Sequence, residues 1–210
     1  MKKWMFFTNF EKEEKWLNEM AKQGYQIIKK SFYSNMYEFK TIEPENSIIK
    51  IDYRKFNKME EYKNYLTLFE DSGWEHLAGT KKSGYQYFKK VDISGSDDIF
   101  SDVASKAGRY KRLSDMSITQ LSFLLPIFAI LIATDLIEPL AILNPKGLYY
   151  TPGLWERSGG DFTRAFLFET PFALFRGFLV ALIPVTIVMY FVFAIKASSE
   201  YKKSINRWLH

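Results

Sequence analysis

The chain has 210 residues, 29 Lys and Arg against 24 Asp and Glu, two histidines and no cysteine. Without cysteine there is no disulfide, iron–sulfur cluster or thiol catalysis, and two histidines give a metal site or catalytic triad little to build on. A net charge of +5 suits either nucleic acid or an anionic membrane surface, and the basic residues cluster beside the apolar runs, which favours the membrane.

The N-terminus, MKKWMFFTNFEKEE, has a basic start but no apolar stretch of signal-peptide length, so the first part of the chain is expected to stay unexported. Residues 1–92 then carry an internal repeat. Pairing Leu17 with Leu66 sets an offset of 49 residues, which also aligns Trp4 with Tyr53, Phe7 with Phe56, Phe10 with Met59 and Trp16 with Tyr65. The same offset brings Met20 onto Phe69, Gly24 onto Gly73, Tyr25 onto Trp74, Ile28 onto Leu77 and Phe39 onto Phe88.

Thr8 with Glu11, and Asn57 with Glu60, have the spacing of helix-opening capping boxes. Trp16, Leu17, Met20 and Ala21 make one apolar helical stripe, and Met59, Tyr62, Tyr65, Leu66 and Phe69 make another. Gly24 and Gly73 stand where a left-handed residue ends each helix, each followed by an aromatic, Tyr25 or Trp74, that opens a strand. Further strands are predicted at Lys3–Phe7, Met36–Lys40, Ile48–Arg54 and Tyr85–Lys89. Each copy reads β-α-β-β. The expected fold is an α+β domain with a mostly antiparallel sheet of about six strands and two helices on one face.

A polar linker, Asp92–Asp98, precedes a helix through Ile99, Val103, Ala107, Tyr110 and Leu113 that carries Lys106, Arg109, Lys111 and Arg112. This segment, 93–116, is expected to lie along the membrane surface or to lead into a span. Two apolar runs follow, at about 118–137 and 172–195, with the second uninterrupted by charge from Gly177 to Ile195. They define a transmembrane hairpin over 117–195, with Tyr149, Tyr150 and Trp155 in the loop suited to an interfacial belt. Phe162, Phe166, Phe168, Phe172 and Phe175 suggest an interfacial helix before the second span. Basic residues at 106, 109, 111, 112, 196, 202, 203 and 207 outnumber Lys146, Arg157 and Arg164 in the loop, which puts both termini in the cytoplasm and makes 196–210 a cytoplasmic tail.

Chemistry is sparse. Asp135, Glu138, Glu169 and Arg176 fall near one predicted membrane boundary and form a candidate polar cluster, against ordinary snorkelling at the interface. Glu11, Glu13 and Glu14 read as a solvated helix face, and Asp52, Asp71 and Glu75 as isolated charges. His76 aligns with Ile27 and reads as structural. No phosphate-binding or dinucleotide-binding glycine motif occurs. Lys81, Lys82, Lys89 and Lys90 flank aromatics as in a base-stacking sheet, but those aromatics repeat at core positions, so no nucleic acid is expected.

EKEEKWLNEMAKQGY (Glu11–Tyr25), YEFK (Tyr37–Lys40), IDYR (Ile51–Arg54), YLTLFEDSGWEHL (Tyr65–Leu77) and YFKK (Tyr87–Lys90) resemble the bacterial domain of unknown function 2812 family over about residues 3–92. The resemblance implies hydrophobic helices after the domain, genes beside PadR-type regulators in Gram-positive bacteria, and a part in regulation or stress response at the membrane. It brings no catalytic residue and no cofactor. The expected function is therefore a non-enzymatic, membrane-anchored binding module. It would touch membrane lipid and engage a protein partner, either a regulator or a transporter. The alternatives are an accessory or immunity-type transporter subunit and, last, an inner-leaflet enzyme. Free sheet edges also suit pairing with a second copy.

Overall fold

The computed structural model describes residues 1–31, 35–92, 94–134 and 144–206. The chain folds as two units, one of Met1–Asp115 with Ile195–His210 and one of Met116–Ala194. The first unit thus takes in both the linker region and the C-terminal segment, which the sequence reading separates from the domain.

In the first unit β1 (Lys2–Trp4), α1 (Phe10–Lys22), β2 (Tyr25–Lys30) and β3 (Met36–Thr41) precede β4 (Ile49–Tyr53), α2 (Met59–Asp71), β5 (Trp74–Ala78) and β6 (Tyr85–Lys90). The strands form two three-stranded antiparallel sheets, ordered β1-β3-β2 and β4-β6-β5, in place of the single expected sheet of six. Each sheet carries one register shift, between Ile27 and Lys29 in β2 and between His76 and Ala78 in β5.

Gly24 and Gly73 end α1 and α2 with φ of +84° and +80°, a region that costs an L-residue energy. Their carbonyls accept from Ile42 and Val91, both at 2.9 Å, which turns each chain end back toward its strand. At the other end α1 is capped by Asn9, whose Oδ1 accepts from the Lys12 amide at 2.9 Å, and not by the Thr8 box. Lys58 occupies the corresponding place before α2 and makes no side-chain cap, so the Asn57–Glu60 box does not form either.

Alternation along β6 places its neighbours. Phe88 packs on Tyr65 and Phe69 of α2, whereas the Tyr87 hydroxyl reaches Glu13 of α1. Successive strand residues point to opposite faces. The two helices therefore lie on opposite faces of β4-β6-β5, and not on one face as expected. The reason is visible in the strand composition: Ile49, Ile51, Tyr53 and Tyr87 give that sheet a second apolar face, buried to 2% exposure or less. Trp16 covers Tyr37 and Phe39 on the other sheet, so α1 serves both.

α3 (Val103–Ala133) and α4 (Gly159–Asn206) are both long and apolar enough to cross a membrane. The boundary between the two units falls inside each of them. α4 runs unbroken through Pro171 and Pro184, so the separate interfacial helix expected at Phe162–Phe175 is its N-terminal part. Its 48 residues span about 72 Å, more than twice a hydrocarbon core of about 30 Å.

Candidate functional site

The outer edge of β4 is where the first unit concentrates its polar chemistry. The β4–β6 ladder uses the even-numbered residues, as the Lys90 amide to Ile48 carbonyl bond at 2.9 Å and the Arg54 amide to Gly84 carbonyl bond at 2.8 Å show. Ile49, Ile51 and Tyr53 consequently aim their amides and carbonyls away from the sheet. Asn18 and Glu14 on α1 accept from the Ile49 and Ile51 amides at 2.8 and 3.1 Å. Four residues of helix rise about 6 Å, close to the two-residue repeat of a strand, so one helix face matches successive outward amides. Asp52 accepts from the Tyr53 amide at 2.7 Å.

The carbonyls are met from α3. Arg109 Nη1 donates to Ile51 at 2.7 Å and Arg112 Nε donates to Tyr53 at 2.5 Å. Side chains of two helices thereby stand in for a missing fourth strand. The same guanidinium groups close ion pairs: Arg109 with Glu14 at 2.5 Å and Glu11 at 2.8 Å, and Arg112 with Asp52. Tyr110 donates to Glu11 and Tyr65 donates to Asp52 at 2.9 Å. Arg109 is fully buried, with its guanidinium stacked near Phe10, Phe100 and Tyr110. Burial opposes its charge, but the Glu14 and Glu11 carboxylates outweigh burial and raise its pKa. Burial likewise works to raise Glu11, and the Arg109 charge with the Tyr110 hydroxyl brings it below its ordinary value.

A second buried carboxylate, Glu13, accepts from Tyr37 at 2.7 Å, Tyr87 at 2.6 Å and Lys30 at 3.0 Å, joining α1 to both sheets. Burial lowers the Lys30 pKa, partly offset by Glu13. Burial and then the Glu13 charge push Tyr37 and Tyr87 well above the ordinary phenol range.

These placements correct the sequence reading. Glu13 and Glu14 are interior groups, Asp52 is paired, and Arg109 and Arg112 reach into the first unit from a helix that leads into the apolar run, one of the two arrangements expected. Strand alternation hid Asp52, and the triplet of glutamates hid two buried residues inside a stretch with the composition of a wet face. One signal was present: Arg109 and Arg112 lie three apart on the helix face that also carries Leu113 and Tyr110.

The residues of the repeat core are buried to different depths. Leu17, Tyr65 and Trp74 are buried, and Trp16, Tyr25 and Leu66 are half-buried. His76 is held by Gln86 at 3.1 Å and packs on Phe88. Of the boundary cluster, Asp135 and Glu138 lie outside the described residues. Glu169 and Arg176 are brought together as an ion pair in the second unit. Glu169 also accepts from the Tyr150 amide at 3.2 Å and the Thr151 hydroxyl at 2.8 Å, while Arg176 donates to the Leu148 carbonyl at 2.6 Å and covers the Tyr150 ring. Together they pin the segment Leu148–Thr151 to α4.

These features define an α+β protein with two small antiparallel sheets and two apolar helices long enough to cross a membrane. Residues 9–122 match the family described as protein of unknown function (DUF2812), and the chain belongs to that family. The match runs beyond the sheets through Arg109 and Arg112, so the docked half of α3 is part of the family's unit. No curated protein and no solved structure matches the chain.

Proposed function

We propose that this chain is a membrane-anchored binding module whose first unit lies in the cytoplasm and engages a protein partner, a regulator or a transporter. α3 and α4 cross the bilayer, both termini stay inside, and the segment around Tyr149–Trp155 faces outward. The observation that carries this reading is that α3 supplies both the Arg109–Arg112 junction and an apolar run, without a break in the helix. A change at the apolar half has a direct covalent route to the β4 edge. The polar groups of that edge are engaged with one another and with backbone, which suits structural coupling better than turnover of a substrate. The shared β-α-β-β order and the register shifts 49 residues apart support descent of the two sheets from one duplicated unit.

The absence of cysteine gives a clean test of sidedness. A single cysteine at exposed Lys82 should resist a membrane-impermeant maleimide in intact cells, and one at exposed Ser158 should react. Labelling at Lys82→Cys with protection at Ser158→Cys overturns the orientation. Co-purification from native membranes then tests the partner: exchange of the apolar helices for unrelated spans should preserve it. Its loss would favour the accessory-subunit reading, which the Glu169–Arg176 anchorage of the loop supports.

A further inference from the structure

The two sheets differ in what covers them. In β4-β6-β5 both faces are occupied, and Tyr53 is 2% exposed. At the equivalent place in β1, Trp4 is 64% exposed, and among the described residues no element covers the face it shares with Lys2, Met36 and Glu38. Met1, Met5 and Phe6 beside it are 46%, 39% and 41% exposed. Lys2 shares the face of Trp4, whereas Lys3 lies on the opposite face with its Nζ donating to Met20 Sδ at 3.3 Å. A tryptophan, a phenylalanine and methionines beside a lysine match the chemistry of a membrane interface, where apolar side chains enter the headgroup boundary and cations meet anionic lipid.

Position in the fold points the same way. The loop that follows β1 ends at Asn9, whose Nδ2 donates to Glu200 at 3.4 Å. Glu200 is five residues past Ile195, the end of the apolar run in α4, which is about 7.5 Å along the helix. Phe7, Thr8 and Asn9 also line a small crevice with Leu113, five residues before Ile118 at the start of the apolar run in α3. Within the first unit, therefore, this loop sits beside the segments of both helices that adjoin their apolar runs. Lys196, Lys202 and Lys203 follow on α4, with Lys203 bonded to Glu200 at 3.0 Å, and Lys2 stands 3.5 Å from Glu38.

We infer that Trp4, Met5 and Phe6, with Lys2, form a second membrane contact that lays the first unit against an anionic bilayer surface. It rests on the reading that α3 and α4 cross the membrane. The tether holds the patch at high local concentration over the lipid, so weak insertion suffices to dock it.

The test uses the full chain in nanodiscs of phosphatidylcholine alone or mixed with phosphatidylglycerol, with acyl chains brominated near the headgroup. The difference in fluorescence between the full chain and Trp4→Phe isolates the Trp4 signal. That signal should be quenched and blue-shifted in discs with phosphatidylglycerol and much less so without it. Lys2→Gln should lower the docked-to-undocked ratio by about fivefold in the anionic discs. A Trp4 signal that the bromines leave unchanged, in protein that co-elutes with the discs, overturns the inference, as would Trp4 shielded only when another protein co-purifies. Protein that fails to enter the discs overturns the membrane-spanning reading and this inference with it, and co-elution tells the two failures apart.

Discussion

Arg109→Met is the substitution that asks most of the β4 edge. The side chain is fully buried and holds four positions: the carboxylates of Glu14 and Glu11, the Ile51 carbonyl and a bed of aromatic rings. Methionine keeps much of the volume but leaves Glu14, 5% exposed, without its closest cation; Lys50 remains at 3.6 Å. Breaking a buried ion pair from one side costs about 3–5 kcal/mol. For a unit of this size that lowers the melting temperature by about 10–20 °C. Arg109→Lys should recover only part, because an ammonium lacks the planar fork that reaches carbonyl and carboxylate together. The assay is thermal unfolding in detergent followed by tryptophan emission, in which Trp16 and Trp74 report on the interior of the first unit. Glu14→Gln combined with Arg109→Met should cost less than the sum of the two single changes, since neither charge is then left alone. A melting temperature within about 3 °C of the parent for Arg109→Met, or strict additivity in the double variant, refutes the junction as an energetic element.

Burial, reinforced by neighbouring carboxylates, holds Tyr37, Tyr65, Tyr85, Tyr87 and Tyr110 far above the ordinary phenol value. Groups raised in the folded state contribute stability that is complete below the unfolded value, near pH 10. That stability falls above it by about 1.4 kcal/mol per pH unit for each tyrosine. Phenolate absorbance from these residues should therefore appear together with unfolding, in one steep step just above pH 10; smooth titration of a folded chain contradicts the packing. Gly73→Ala should destabilise by about 1–2 kcal/mol or more and Gly24→Ala by somewhat less. The added methyl would meet Asp92 Cβ at 2.5 Å in the first case and the Ile42 carbonyl at 3.0 Å in the second, as denaturant midpoints should show. Arg176→Ala removes the donor to the Leu148 carbonyl and to Glu169, and should make the bond after Tyr149 or Tyr150 markedly more sensitive to chymotrypsin. Unchanged digestion would mean that the loop is held by its aromatic contacts instead.

The element types were legible because their signals are local. Aromatic and β-branched alternation marks the strands, a glycine ends each of α1 and α2, and two runs of lipid-like composition mark α3 and α4. What was not legible depends on partners distant in sequence. Glu13 and Glu14 look identical to Glu11 until Tyr87, Lys30 and Arg109 arrive from up to 95 residues away. The division into two sheets also escaped, since β2 and β5 carry strand chemistry compatible with either arrangement. The second apolar face of β4 and β6 was written in Ile49, Ile51, Tyr53 and Tyr87. Reading it required knowing that α1 serves both sheets.

The C-terminal segment shares a unit with the first 115 residues. Synthesis therefore delivers the parts of that unit out of step. Both sheets leave the ribosome early with the β4 edge open, α3 fills that edge next, and the stretch bearing Glu200 arrives only after both apolar runs have been made. A chain halted before the second apolar run would have α3 on the β4 edge but would lack the contact from Asn9 to Glu200.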